Sequence, residues 1–188
     1  PEAPLRQPEA QDGFGGIASA SAFCVRIQHT TPRITSSRLI TSAKNPLLRE
    51  VRRALSRGEL TGDGCCVAET FHLLEEAIRS GRPVRAILAA ESVSAAVEPH
   101  VKGLRGTAVH VVPDELFQAV VTTETAQGVI ALVEPPSWTV EQLFRGRSLV
   151  VVLDGVQDPG NAGTVIRTAE AFGATGVMYL KGSVSPFN

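Results

Sequence analysis

The sequence is poor in cysteine and in aromatic residues, and it contains no long apolar run. Its three cysteines, Cys24, Cys65 and Cys66, are odd in number and lack the C-x-x-C spacing of many zinc-binding and redox proteins. We therefore predict neither a disulfide framework nor a metal site, and this cysteine usage is typical of the reducing cytoplasm. No apolar run approaches the ~20 residues of a transmembrane helix, so we expect no membrane partner.

The sequence also lacks an overall basic excess, because its formal net charge is −1. Its basic residues are instead concentrated between positions 33 and 57, where seven of them accompany a single acid, Glu50. The seven are Arg33, Arg38, Lys44, Arg49, Arg52, Arg53 and Arg57. Such a patch is suited to RNA phosphates, but it is equally typical of an ordinary solvated helix face. The residues alone leave both interpretations open.

Residues 1–36 are rich in Pro, Gly, Ala and Ser and show no periodicity, so we predict a disordered leader. Residues 13–49 contain no acidic residue, so this N-terminal region is also compatible with an organellar transit peptide. The acids Glu2, Glu9 and Asp12 at the start of the chain argue against that alternative.

An alternation of short strands and helices follows the leader. Asn45 and Pro46 are typical of a helix start, and Gly58 of its end. Further on, strands are predicted at 65–68, 84–89, 109–112 and 129–133, and helices at 71–80, 92–101 and 114–120. This alternation predicts a small α/β domain of two or three layers over residues 37–134. The Pro-Pro pair within 134–137 marks the predicted boundary, after which we expect Trp138 to anchor a short helix at 140–144.

A strand, a glycine loop, a helix and a second strand are predicted over residues 149–180. The first strand, 149–153, is apolar and β-branched, and we expect it to be buried on both faces. Asn161 is the predicted N-cap of the helix, and Gly173 the residue that ends it. The loop lacks the lysine of a phosphate-binding P-loop and the spacing of a dinucleotide-binding motif. It is therefore a ligand site of another kind or a turn without a ligand.

Residues 154–174, DGVQDPGNAGTVIRTAEAFGA, resemble without gaps the first motif of the SpoU/TrmH family of RNA 2′-O-ribose methyltransferases, in the SPOUT superfamily. Residues 40–48, 68–77 and 123–129 resemble that family's substrate-binding domain. The resemblance implies that the seven basic residues bind rRNA or tRNA. It also implies a second α/β domain, over 137–188, that is the first part of a methyltransferase domain with a C-terminal knot.

The resemblance further implies S-adenosylmethionine as cofactor, an active site built in a homodimer, and catalytic roles for Arg167 and Asn161. Nothing before Asn188 matches the motifs that hold the cofactor, so we expect an incomplete segment with the cofactor-binding residues beyond Asn188. Arg167 stays protonated, so its expected role is that of a hydrogen-bond donor. The alternative role for Arg167 is a structural salt bridge to Glu170. The alternative function for the whole chain is that of an RNA-binding module with a non-catalytic methyltransferase remnant.

Overall fold

The computed structural model describes residues 38–121 and 126–188. The predicted leader, Arg33 and residues 122–125 lie outside the described residues. The strands are β1 (Arg38–Leu39), β2 (Cys66–Ala68), β3 (Val84–Ala90), β4 (Ala108–Val112), β5 (Val129–Val133), β6 (Val150–Leu153) and β7 (Gly176–Tyr179). The α-helices are α1 (Pro46–Arg57), α2 (Phe71–Arg79), α3 (Ser94–Val101), α4 (Asp114–Gln118), α5 (Val140–Leu143) and α6 (Pro159–Ala171), with a 3₁₀ turn at Glu91–Val93.

The first five strands form one mixed sheet in the order β1-β4-β3-β5-β2. Strands β1, β4 and β3 are parallel, whereas β5 is antiparallel to both β3 and β2. The predicted α/β fold class is confirmed, and the predicted strands are present within one or two residues of their expected ends.

The central strand β3 contributes to a core on each face of this sheet, as the period of two in a strand requires. Leu88 packs with Val51 of α1 and Phe117 of α4. On the opposite face, Ile87 packs with Leu74 of α2, and Val97 of α3 belongs to the same cluster. All of these side chains are at most 1% exposed. The sheet is thus the middle of three layers.

Helix α1 begins and ends as its sequence predicts. The side chain of Asn45 accepts a hydrogen bond from the backbone N–H of Leu47 at 2.9 Å, and Pro46 occupies the first helical position. Gly58 ends the helix in the left-handed region, at φ +60°. Leu48, Val51 and Ala54 form the buried face of this helix, and its four arginines are exposed.

The second sheet consists of β6 and β7, which are parallel and are connected by α6. The side chain of Leu153 is 4% exposed, whereas Val152, which points to the opposite face, is 51% exposed. The prediction that this strand is buried on both faces is therefore wrong for the described structure. Helix α6 packs on one face of the strand, and residues on the other face keep access to solvent.

Trp138 does not anchor α5, because 73% of its surface is exposed. A capping box orders this short helix instead, with the Thr139 N–H donating to the Gln142 side chain at 2.8 Å. The predicted anchoring role of Trp138 is wrong, since a reciprocal pair of polar caps fixes the helix start without an apolar contact. The domain boundary expected at 134–137 stays a prediction. Within the described ranges, no helix is both long enough and apolar enough to cross a membrane.

Candidate functional site

The candidate site lies at the carboxyl end of β6, where the chain turns into α6. Gly155 adopts φ +67°, a left-handed conformation that a side chain would strain. The loop is also held from the other side, because the N–H of Val184 donates to the carbonyl of Val156 at 2.7 Å. Parallel strands of α/β sheets present their ligand sites at this end, so the loop is positioned for binding.

The N-cap of helix α6 lies three residues before the predicted one. Asp158 is the N-cap, and its Oδ1 accepts from the backbone N–H of Asn161 at 2.6 Å. The assignment of Asn161 as N-cap is wrong because Pro159, with its fixed φ and no N–H to satisfy, suits the first position of the helix. Asn161 instead lies in the first turn, exposed, and its side-chain amide has no hydrogen bond to any described residue.

Arg167 lies on the third turn of α6 and folds back toward the amino-terminal end of the helix. Its Nη2 donates to Oγ1 of Thr164 at 3.1 Å, and a Cβ placed on Gly163 would lie 3.3 Å from its Nη1. In the described part of the chain it forms no ion pair with Glu170, so the salt-bridge alternative is not observed. The expected catalytic roles of Arg167 and Asn161 stay predictions.

Asn161, Thr164 and Arg167 follow one another at intervals of three residues along α6. Successive positions in such a row are offset by about 60° around the helix axis, so the three side chains leave neighbouring parts of one face. Thr164 therefore stands between the two predicted catalytic residues. Sequence reasoning missed it, although its spacing of three residues from each of them was the available signal.

The predicted RNA-binding residues that the structure describes are all exposed: Arg38, Lys44, Arg49, Arg52, Arg53 and Arg57. They differ in whether an acidic side chain lies close to them. Arg53 lies 3.9 Å from a carboxylate oxygen of Glu50, and Arg57 lies 4.0 Å from one of Glu59. Four of the six, Arg38, Lys44, Arg49 and Arg52, form no ion pair within the described residues. The acids near α1 thus offset part of its positive charge.

Arg38 also affects a histidine inside the sheet. Its strand pairs with β4 so that Arg38 lies opposite His110. Burial first, and the charge of Arg38 second, lower the pKa of His110 below its usual value of 6.5. Across the described ranges, no group of three or more His, Cys, Asp and Glu side chains is arranged to hold a metal ion.

Two family models match the chain on either side of the Pro-Pro pair. Residues 148–188 match the SpoU rRNA Methylase family, and residues 45–131 match the MRM3-like substrate binding domain. The first match contains the whole of β6, α6 and β7. This chain belongs to the SpoU/TrmH family.

Relatives of this SpoU/TrmH chain include proteins named as RNA methyltransferases. It is 34% identical over 149 residues to the 23S rRNA (guanosine(2553)-2'-O)-methyltransferase RlmP of Bacillus subtilis, over 79% of this chain and 57% of that protein. The AdoMet-bound rRNA methyltransferase of Sinorhizobium meliloti superimposes with a TM-score of 0.62 at 26% identity, over 80% of this chain and 57% of that one. The SpoU methyltransferase AviRb of Streptomyces viridochromogenes, in complex with AdoMet, superimposes with a TM-score of 0.65 at 24% identity, over 77% of this chain and 56% of that one. The chain thus spans little more than half the length of these proteins.

Proposed function

We propose that the complete protein methylates a ribose 2′-hydroxyl of rRNA or tRNA, with S-adenosylmethionine as the methyl donor. The observation that carries this proposal is the placement of Arg167. Its guanidinium is held against Thr164 and the backbone of Gly163 in α6, on the side that faces the amino-terminal end of the helix, within the segment that matches the methylase family. The 34% identity to a 2'-O-methyltransferase supports the ribose as the site of modification.

The described residues of the loop do not fit the cofactor by themselves. Asp154, Gly155, Gln157 and Asp158 are exposed, and only Val156 between them is half-buried. They therefore offer no enclosed apolar wall for an adenine ring. We propose that residues following Asn188 hold the cofactor, and we assign no cofactor contact to the described residues.

The chemistry that this chain can supply concerns the nucleophile. A ribose hydroxyl is a weak nucleophile that must lose its proton as it attacks, and negative charge develops on its oxygen. Arg167 stays protonated at physiological pH and cannot accept that proton, so a phosphate or a water must do so. Its remaining N–H groups are suited to stabilise the developing alkoxide or to align a neighbouring phosphate. The free amide of Asn161, on the same face, would orient the ribose.

The basic residues of α1 and its surroundings would hold the RNA through its phosphates. We place their contribution in affinity rather than in the chemical step, because phosphate contacts fix position without reading or reacting with the ribose. Two further parts of this proposal are a homodimeric assembly, which the family resemblance implies, and a cytoplasmic location, of which the cysteine usage is typical. Sedimentation of the complete protein would test the first, and fractionation of cells the second.

Arg167→Lys and Arg167→Ala in the complete protein test the catalytic assignment. Loss of a key electrostatic donor lowers turnover by on the order of a hundredfold, and lysine lacks the planar fork of arginine. Single-turnover transfer of a radiolabelled methyl group to unmodified rRNA and tRNA measures the rate. Arg145→Lys, at an exposed arginine outside α6, is the matched control.

Alkaline hydrolysis of the product identifies the methylated atom, because a 2′-O-methyl group blocks cleavage of the adjoining linkage. Label in alkali-resistant dinucleotides supports the proposal, whereas label in ordinary mononucleotides contradicts it. A near-wild-type rate in Arg167→Lys contradicts the role of Arg167. RNA binding without any methyl transfer favours the binding module.

A further inference from the structure

We propose that Thr164 is a positioning residue that fixes Arg167 in its reactive orientation. The proposal rests on the proposed function, since it assigns a role to Arg167 in methyl transfer. Its basis is a chain of two hydrogen bonds: Arg167 Nη2 donates to Thr164 Oγ1 at 3.1 Å, and Thr164 Oγ1 donates to the carbonyl of Gly160 at 2.9 Å.

The donors and acceptors present fix the direction of these two hydrogen bonds. A guanidinium has only N–H donors, and a backbone carbonyl only accepts. The single proton of the Thr164 hydroxyl is therefore committed to Gly160, and its lone pairs face Arg167. The hydroxyl is an acceptor of defined direction, and the helix backbone sets where it points.

Gly163 provides the space that this orientation needs. Because a Cβ at that position would lie 3.3 Å from Arg167 Nη1, the guanidinium lies close against the glycine backbone. One side of the guanidinium is thus limited by backbone and one N–H group is bound to Thr164. Both constraints turn the side chain toward the amino-terminal end of α6 and toward Asn161.

An arginine that is exposed and long is otherwise free to adopt many rotamers. A donor that acts on a transition state is effective when it is already oriented, because no reorganisation is then needed during the reaction. Thr164 would accordingly affect the rate of the chemical step and leave the binding of RNA and cofactor unchanged. Threonine has the further advantage that its branched Cβ restricts the hydroxyl to few rotamers in a helix.

Thr164→Val and Thr164→Ser separate the hydroxyl from the shape of the side chain. Valine keeps the branched shape and removes the hydrogen bonds, whereas serine keeps the hydroxyl. In steady-state assays of the complete protein, we expect Thr164→Val to lower kcat by about tenfold, in the range for loss of a hydrogen bond to a charged group. KM for RNA and for S-adenosylmethionine should not change, and Thr164→Ser should recover most of the rate.

The double variant Thr164→Val/Arg167→Lys shows whether Thr164 acts through Arg167. If it does, Thr164→Val adds little to the loss that Arg167→Lys causes alone, as expected for residues of one network. A wild-type kcat in Thr164→Val, or a full tenfold loss on top of Arg167→Lys, would overturn the proposal. Melting temperatures of the variants exclude a general loss of structure.

A readout without catalysis separates this proposal from the proposed function. NMR relaxation of the Arg167 Nε–H group in the 188-residue chain reports its order directly. The order parameter should fall toward the flexible range, below about 0.6, in Thr164→Val and be kept in Thr164→Ser. Equal order in wild type and Thr164→Val contradicts the positioning role, even if methyl transfer is confirmed. Lost order in a protein that transfers no methyl group supports the contact and contradicts only the proposed function.

Discussion

Neutralising the two arginines of α1 that have no acidic partner should weaken RNA binding more than neutralising the two that have one. Arg49 and Arg52 are exposed and unpaired within the described residues, whereas Arg53 and Arg57 each lie within 4.0 Å of a carboxylate. Each phosphate contact contributes about 0.7 to 0.9 to the log–log dependence of affinity on salt. Arg49→Gln/Arg52→Gln should therefore lower the slope by about 1.4 to 1.8, and Arg53→Gln/Arg57→Gln by less.

Fluorescence anisotropy of a labelled rRNA fragment, titrated between about 50 and 200 mM salt, measures that slope. Arg82→Gln/Arg105→Gln is the matched control, because it removes two exposed positive charges away from α1. Equal effects of the α1 variant Arg49→Gln/Arg52→Gln and of the control would show that only net charge matters. An unchanged slope in Arg49→Gln/Arg52→Gln would reduce α1 to a solvated face and refute the reasoning.

Removing the negative charge of Glu50, which lies 3.9 Å from Arg53, should have the opposite effect on RNA binding. Glu50 also accepts a hydrogen bond from the backbone N–H of Gly62, so removing its side chain would disturb the loop. Glu50→Gln keeps an acceptor oxygen for Gly62 and removes the charge. We expect tighter RNA binding and a steeper salt dependence in this variant, and weaker binding would contradict the assigned role of α1.

Two further predictions concern stability. Gly128→Ala should destabilise the fold by about 1 to 3 kcal/mol, because Gly128 has φ +76° and a Cβ there would lie 2.6 Å from Val93 Cγ2. Gly81→Ala, at φ +64° in open space, should cost less in chemical denaturation, and an equal cost would exclude the clash as the cause. Burial, and to a smaller extent the charge of Arg38, lowers the pKa of His110 in the folded protein. As pH falls below 6.5, the histidine is therefore protonated more readily in the unfolded chain than in the folded one. The free energy of unfolding should therefore decline as pH falls through that range, and it should decline less in His110→Gln. Parallel curves of unfolding free energy against pH for the two proteins would refute this.

The sequence predicted the elements whose ends are set by local chemistry. Helix α1 is the clearest case, because Asn45, Pro46 and Gly58 each act on the backbone next to them. The predictions that failed depended on what packs against a residue from elsewhere in the chain. Whether Val152 is buried depends on what covers the second face of β6, and the exposure of Trp138 depends on how α5 is capped. The hydrophobic periodicity of the surrounding residues predicts neither the exposure of Val152 nor that of Trp138.

The start of α6 is an intermediate case, because Asp158 and Asn161 are both good N-cap residues and lie three positions apart. Pro159 decides between them, since a proline is suited to the first helical turn and is costly in a helix interior. Pro159 therefore favours Asp158 over Asn161 as the N-cap on sequence grounds alone. The Asp158 carboxylate therefore caps the helix, and the side-chain amide of Asn161 is not needed as a cap.

The position of Arg167 is decided by a property of helices that spacing alone does not express. The Cα–Cβ bonds of a helix tilt toward its amino terminus, so a long side chain covers the turn before its own. Glu170 lies in the opposite direction along α6, and a positive residue that precedes a negative one is the weaker arrangement of such pairs. Arg167 therefore finds Thr164 and the backbone of Gly163, one turn nearer the loop. The same tilt that removes the salt bridge to Glu170 brings the guanidinium toward Asn161 and the carboxyl end of β6.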